Sequence, residues 1–238
     1  MTTTEQHLVR AAARNNAEWC AAMCRSHGLA GEFGAHAWAA PSRTPLFHPD
    51  AVTLAPGVAA PAVTAAIDAT AGATVKDSFA DLDLTEAGFH VLFEAHWIHR
   101  PAGPPAVTPE LSWDWGVADT PETLRAWAVA WDGGQGDADL FRPELLDAAG
   151  HFVLAARSAG GHVVAGAVAS RSDEVVGVSN VFARDGGPDA AWPVVLDAVN
   201  SLFPALPVVG YEHGEDLAGA LRHGFEPVGP LRVWLRGR

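Results

Sequence analysis

The stretch "SNVFARDGGPDAAWPVVLDAV", residues 179–199, passes from one apolar run through two adjacent glycines into another. The first run has the composition of a strand, and residues 189–203 carry apolar side chains at helical spacing. Pro193 suits such a helix only within its first turn, because proline lacks the N–H that later turns need. The stretch therefore predicts a strand, a turn and a helix. The turn is either a phosphate cradle at the helix N-terminus or a plain turn.

The segments around this stretch predict the rest of a sheet. Three β-rich runs within 151–183, separated by "SAGG" and "SRSDE", indicate an antiparallel meander. A buried strand at 206–214, a helix at 215–224 and a strand at 225–236 are expected to follow. Upstream, Thr120 is a candidate N-cap for a helix over 120–131. The predicted order after that helix is β-β-β-α-β-α-β.

The first half repeats part of this order. Residues 51–100 offer a strand, a helix, a strand, a short helix, then "GF" and a final strand. A second "GF" stands at 224–225, so the first half is either a partial copy or an unrelated βαβ piece. Proline and glycine cluster at 101–107, which indicates a linker. We expect domains at 1–105 and 106–238.

Composition limits the partners and the location of the protein. The formal net charge is −13 without a basic stripe, so a nucleic-acid partner is not expected. No apolar run approaches the roughly 20 residues of a membrane span, and "MTTTEQHLVR" lacks the features of a signal peptide. We expect a cytoplasmic protein that does not bind membranes. Cys20 and Cys24 are expected to be buried, reduced thiols.

The remaining histidine and acidic motifs do not predict a metal site. In a strand, the "HWIHR" segment would place His96 and His99 on opposite sides. The acidic segment "VKDSFADLDL", residues 75–84, lacks the glycine and the final glutamate of a calcium loop, and favours a solvated turn with a short helix. We therefore expect no bound metal.

The element order of 120–236, with a helix directly after the central strand and "GF" closing the last helix, resembles the GNAT superfamily of N-acyltransferases. The resemblance implies an α/β fold with a mixed, mainly antiparallel sheet flanked by helices, and an N-terminal partial repeat of it. In that family, acyl-CoA lies where the fourth and fifth strands splay apart. Here those strands would be 175–183 and 206–214.

The family's pyrophosphate signature is Arg or Gln, two residues, Gly, one residue, then Gly or Ala. Arg184 and Gly187 match it, but the last small residue is replaced by Asp189. This carboxylate would repel a diphosphate at close range, unless it serves as the N-cap of the helix. The cofactor-binding residues that the resemblance implies are Val181, Phe182, Ala183, Arg184, Gly186, Gly187 and Ala190.

The resemblance also suggests catalytic candidates. Many family members place a tyrosine acid where this chain has Ala220. Glu212 and His213 could act as bases at the end of the fifth strand, with strand alternation sending them to opposite faces. Asn180 could hydrogen-bond the substrate. The structural alternatives are a solvated or helix-capping His213 and an Asn180 that pairs with backbone.

The expected function is transfer of an acyl group from acetyl-CoA or another acyl-CoA to a small amine. The amine would attack directly, so no covalent intermediate on the enzyme is needed. The alternative is a GNAT-fold binding or scaffolding protein that has lost turnover, which Ala220 and Asp189 favour. A homodimer is compatible with the sequence.

Overall fold

The structure is a computed structural model, and it describes residues 3–105 and 113–237. These residues form two compact units, one made of residues 3–97 and 228–237, the other of the described part of 98–227. The predicted boundary at 105/106 adjoins residues outside this description. The division into domains 1–105 and 106–238 therefore stays a prediction.

The first unit combines a long helix with a mixed sheet. Its elements are α1 (Thr3–Ser26), β1 (Glu32–Phe33), β2 (Ala37–Ala39), β3 (Ala51–Thr53), α2 (Ala60–Thr64), β4 (Thr74–Asp77), β5 (Phe89–Arg100) up to Trp97, and β11 (Glu226–Arg236) from Val228. The strand order is β1-β2-β3-β4-β11-β5, with β3 and β4 parallel. Helix α1 buries Cys20 and Cys24 as free thiols, as predicted. The internal repeat stays a prediction.

The second unit is a meander followed by two helix and strand pairs. Its elements are β6 (Asp114–Val117), α3 (Pro121–Asp132), two 3₁₀ turns (Ala138–Leu140 and Pro143–Asp147), β7 (His151–Arg157), β8 (Val163–Arg171), β9 (Val176–Ala183), α4 (Gly187–Leu202), β10 (Val208–Glu212) and α5 (Gly214–Arg222). The strand order is β10-β9-β8-β7-β6. Strands β9 and β10 are parallel, whereas the pairs β6–β7, β7–β8 and β8–β9 are antiparallel. The predicted order β-β-β-α-β-α-β, ending in β11, is confirmed.

The local sequence explains why α3 begins where it does. Thr120 caps it as predicted: its hydroxyl accepts the backbone N–H of Thr123, whose own hydroxyl accepts the N–H of Thr120. The indole of Trp127 then donates to the Leu154 carbonyl oxygen at 2.8 Å, which fixes α3 on one face of the sheet. Helix α4 packs Trp192 and its apolar neighbours into the core with Val181 and Ala183 of β9, on the other face.

Two local predictions are wrong. Helix α4 begins at Gly187, so Pro193 lies in its second turn, where its missing N–H leaves the Asp189 carbonyl without the usual helical donor. The short helix expected before β5 is absent from the described residues, because 78–88 form turns. The buried carboxylate of Asp77 accepts the backbone N–H of Leu82 at 2.9 Å, which holds the chain in a turn.

The acidic segment around β4 is also more buried than expected. Lys76, Asp77 and Ser78 are all buried, although the mixed charges of 75–84 predict a solvated turn. The Lys76 ammonium donates to the Asn16 side-chain oxygen of α1 at 2.8 Å, which offsets part of its desolvation. None of the described helices is both long and apolar enough to cross a lipid bilayer.

Candidate active site

The strands β9 and β10 separate after a short parallel contact. Their paired residues are Val176 with Val208 and Gly177 with Val209, although β9 continues to Ala183 and β10 to Glu212. Gly210 lies at the point of divergence, where an added Cβ would be 3.0 Å from the Val178 carbonyl oxygen. A side chain there would push the strands apart earlier. The two strands therefore define a splayed gap, which opens towards the end of β9.

A bulge in β9 lies beside this gap. Its register against β8 runs from Ser179 opposite Val168 to Phe182 opposite Gly166, so Asn180 and Val181 together face the single residue between them. Asn180 has a left-handed backbone with φ of 53°, which asparagine tolerates better than most residues. The bulge takes Asn180 and Val181 out of the one-to-one ladder. Backbone strain of this kind is concentrated at functional sites.

The side chains after the bulge alternate between the two faces of the sheet. Phe182 meets the edge of Trp127, with ring centroids 5.4 Å apart, whereas Val181 and Ala183 pack towards the core beneath α4. Of the three predicted cofactor contacts on β9, the Phe182 side chain is thus engaged with α3. Contacts from this segment to a ligand would involve its backbone as well as the smaller side chains.

The turn into α4 is built from its two glycines. The backbone N–H of Arg184 donates to the Val164 carbonyl oxygen at 2.9 Å, and the chain then leaves the sheet. Gly186 and Gly187 have φ of 81° and 65°, conformations that strain other residues. A Cβ at Gly186 would lie 2.9 Å from the Cβ of Ala190. Gly186 is the N-cap, so no side chain caps the first N–H groups of α4.

The prediction that Asp189 caps the helix is wrong. Asp189 lies in the first turn of α4 and reaches the C-terminal end of α5, where its carboxylate contacts Arg222 at 2.9 Å and His223 at 3.0 Å. These hydrogen bonds, the one from Arg222 foremost, lower the pKa of Asp189 below its usual range. The negative charge of Asp189 is therefore partly neutralised by Arg222 and His223 at the C-terminal end of α5. This ion pair weakens the objection that Asp189 repels a diphosphate.

Glu212 stands at the far end of the splayed strand. It is the last residue of β10 and is partly buried. Burial raises the pKa of its carboxyl from 4.5 to about 7, and the nearby carboxylate of Asp216 adds to the increase. A carboxyl group with this pKa exchanges its proton near neutral pH. It therefore has the acid–base property that a general base needs.

The other predicted catalytic positions are placed as follows. His213 is exposed and forms the N-cap position of α5, without a side-chain cap hydrogen bond. Ala220 is fully buried against the core, so the position of the usual tyrosine acid is filled by packing. The Asn180 side-chain oxygen accepts the hydroxyl of Ser179 at 3.0 Å. This hydrogen bond from Ser179 orients the Asn180 side chain, including its amide nitrogen.

Sequence reasoning missed two features of this region. The bulge depends on the register between β8 and β9, and the Asp189 contacts depend on residues more than 30 positions away. A partial signal was available for the second, because Arg222 and His223 stand beside the predicted Gly224 helix end. Basic residues are favoured near a helix C-terminus because they complement the helix dipole, so their side chains are expected at this end of α5.

The fold of this chain is similar to that of known proteins, although its sequence is not. The chain matches no protein-family model and no curated protein sequence. Among solved structures, it is similar to a GCN5-related N-acetyltransferase from Kribbella flavida, with a TM-score of 0.61 and 18% identity over 94% of this chain and 95% of that one. The chain has the GNAT fold.

Two further solved structures are similar to this chain over most of its length. A protein assigned to the GNAT family from Novosphingobium aromaticivorans has a TM-score of 0.56 and 10% identity, covering 95% of this chain and 99% of its own. A functionally unknown conserved protein from Staphylococcus epidermidis has a TM-score of 0.53 and 11% identity, covering 71% and 74%. At these identities the GNAT likeness establishes the architecture, and function has to be argued from the site.

Proposed function

We propose that the protein is an acyl-CoA-dependent N-acyltransferase, most simply an acetyltransferase, that acts on a small amine. The observation that carries the proposal is the splayed gap between β9 and β10, which has the bulge at Asn180 on one side and Glu212 at its end. The gap leads to the glycine turn at the start of α4. The gap would hold the extended thioester arm of acyl-CoA, and the glycine turn would hold its diphosphate.

The residues present fit acyl-CoA. The uncapped N–H groups at the start of α4 and the positive end of the helix dipole suit a diphosphate. Gly186 and Gly187 let the backbone approach closely, and Arg184 adds a cation that can bind phosphate. The ion pair between Asp189 and Arg222 reduces the local negative charge. Bound acyl-CoA would supply a thioester carbonyl as the acyl donor.

The chain itself would supply positioning, polarisation and proton transfer. The backbone N–H groups of the bulge at Asn180 and Val181 are the candidates to polarise a carbonyl in the gap. Glu212 would accept the proton of the acceptor ammonium, directly or through one water, and so free the nitrogen lone pair for attack. His213 and the Asn180 amide remain proposed contacts for the acceptor.

This scheme does not need the tyrosine acid that the resemblance places at position 220. Ala220 is buried, so no side chain there could protonate the departing sulfur. A thiolate is a good leaving group, because the pKa of a free thiol is about 8.5. Its proton can therefore come from water or from Glu212 after the latter has accepted one. We infer that Ala220 lowers the rate without preventing turnover.

Thiol release tests this proposal. Wild-type protein is incubated with acetyl-CoA and a panel of primary amines, beside Glu212→Gln and the matched control Glu215→Gln, which alters an exposed carboxylate on α5. We expect amine-dependent thiol release that Glu212→Gln lowers by about 100-fold or more and Glu215→Gln leaves unchanged. Acetyl-CoA binding without release for any amine would contradict the proposal and favour the binding module.

A further inference from the structure

A second concave feature of the unit 98–227 lies outside the splayed gap. It is a groove of about 580 Å³ between α3 and the turn that joins β7 to β8. Its apolar lining residues are small side chains and Val129 of α3. We call it the arginine groove. Its polar lining residues are Glu122, Arg125, Arg157, His162 and Arg184.

The charge of this groove is opposite to that of the chain. Three of the 15 basic residues line it, facing one carboxylate, in a protein whose formal net charge is −13. Arg125 contacts Asp139 at 2.6 Å, but the Asp139 side chain is 91% exposed, so a ligand can replace it at little cost. Within residues 3–105 and 113–237, no carboxylate forms an ion pair with Arg157 or Arg184. The groove is therefore suited to an anion.

The position of Arg184 connects this groove with the proposed cofactor site. Arg184 lines the groove and stands two residues before Gly186, the N-cap of α4. An anion in the groove would thus be adjacent to a diphosphate at the glycine turn. Coenzyme A carries such a pair of groups, since its ribose bears a 3′-phosphomonoester one sugar away from the diphosphate.

We propose that the arginine groove binds the 3′-phosphate of coenzyme A. The inference rests on the proposed function. A phosphomonoester carries about −1.5 to −2 charges at neutral pH, and a guanidinium can bind two of its oxygens at once. Arg157 and Arg125 would hold the 3′-phosphate, and Arg184 would lie between it and the diphosphate. The groove thereby selects coenzyme A over carriers that lack this phosphate.

Calorimetry with coenzyme A and 3′-dephospho-coenzyme A tests the assignment. We expect wild-type protein to bind coenzyme A about tenfold more tightly, with a preference that weakens as salt is added. Arg157→Gln and Arg125→Gln should each reduce the preference to about twofold or less, while leaving the affinity for the dephospho form unchanged. Arg171→Gln alters an exposed arginine of β8 outside the groove and should keep the full preference.

The outcomes separate the groove from the cofactor site. Equal affinity of wild type for the two ligands, or a preference that survives both groove substitutions, overturns the assignment but leaves the proposed function intact. Failure of both ligands to bind overturns the proposed function as well. Inorganic phosphate should bind the dephospho-coenzyme A complex and not the coenzyme A complex. Equal binding of phosphate to both would assign the groove to a free phosphate or a phosphorylated acceptor.

Discussion

Replacing Glu212 by glutamine should stabilise the protein and at the same time reduce its activity. Burial raises the pKa of Glu212 from 4.5 to about 7, so the folded protein binds this proton more tightly than the unfolded chain does. Stability therefore falls as the pH rises from 4.5 through 7, and it levels off above that range. At about 1.4 kcal/mol per pKa unit, the full cost of ionising Glu212 is about 3 kcal/mol.

Guanidinium unfolding followed by tryptophan fluorescence measures this cost. At about pH 8, Glu212→Gln should raise the free energy of unfolding by about 2 to 3 kcal/mol over wild type, and at about pH 4 by almost nothing. Glu215→Gln should show no such pH-dependent difference. A gain of equal size at both pH values would refute the reasoning, because it would show that the glutamine acts by packing. A loss at pH 8 would show that the ionised carboxylate is stabilised.

Further substitutions test the other parts of the site. Asp189→Asn should lower the free energy of unfolding by about 0.5 to 1 kcal/mol, because it removes the ion pair with Arg222. The affinity for coenzyme A, measured by calorimetry, should not change; tenfold tighter binding would mean that Asp189 repels the diphosphate. Gly186→Val, whose side chain would meet Ala190, should lower the free energy of unfolding by about 2 kcal/mol or more, whereas Gly187→Ala should lower it by about 1 kcal/mol. Equal losses for the two variants in denaturant unfolding would contradict the contact with Ala190. Asn180→Gly should preserve the bulge, whereas Asn180→Val should cost about 1 to 3 kcal/mol; equal costs would argue against backbone strain.

Local signals predicted the framework of the second unit. The alternation and turn residues of 151–183 specify the meander, because strands separated by short polar turns pair with their neighbours. Thr120 and Pro121 specify the start of α3 through interactions within the first turn. The adjacent glycines 186 and 187 mark the exit from β9, since both adopt a positive φ. Each of these features depends on residues close together in sequence.

The features that sequence analysis missed depend on distant residues. The partners of Asp189 stand at the C-terminal end of α5, far away in sequence, whereas its immediate sequence neighbours favour the N-cap role that the structure does not show. The arginine groove collects Arg125, Arg157 and Arg184 from three separate elements, which a scan for a basic stripe cannot detect. The raised pKa of Glu212 is caused mainly by its burial, which depends on packing between distant segments, and the nearby Asp216 only adds to it. Long-range packing determines all three.

The most direct test of the central claim is calorimetric titration of acetyl-CoA into wild-type protein and into Gly186→Val, with the folded state of the variant verified by circular dichroism. If the glycine turn holds the diphosphate, wild type should bind with a micromolar dissociation constant and the folded variant should lose most of this affinity. Absence of binding to wild type at millimolar acetyl-CoA would contradict the account, as would undiminished affinity in the variant.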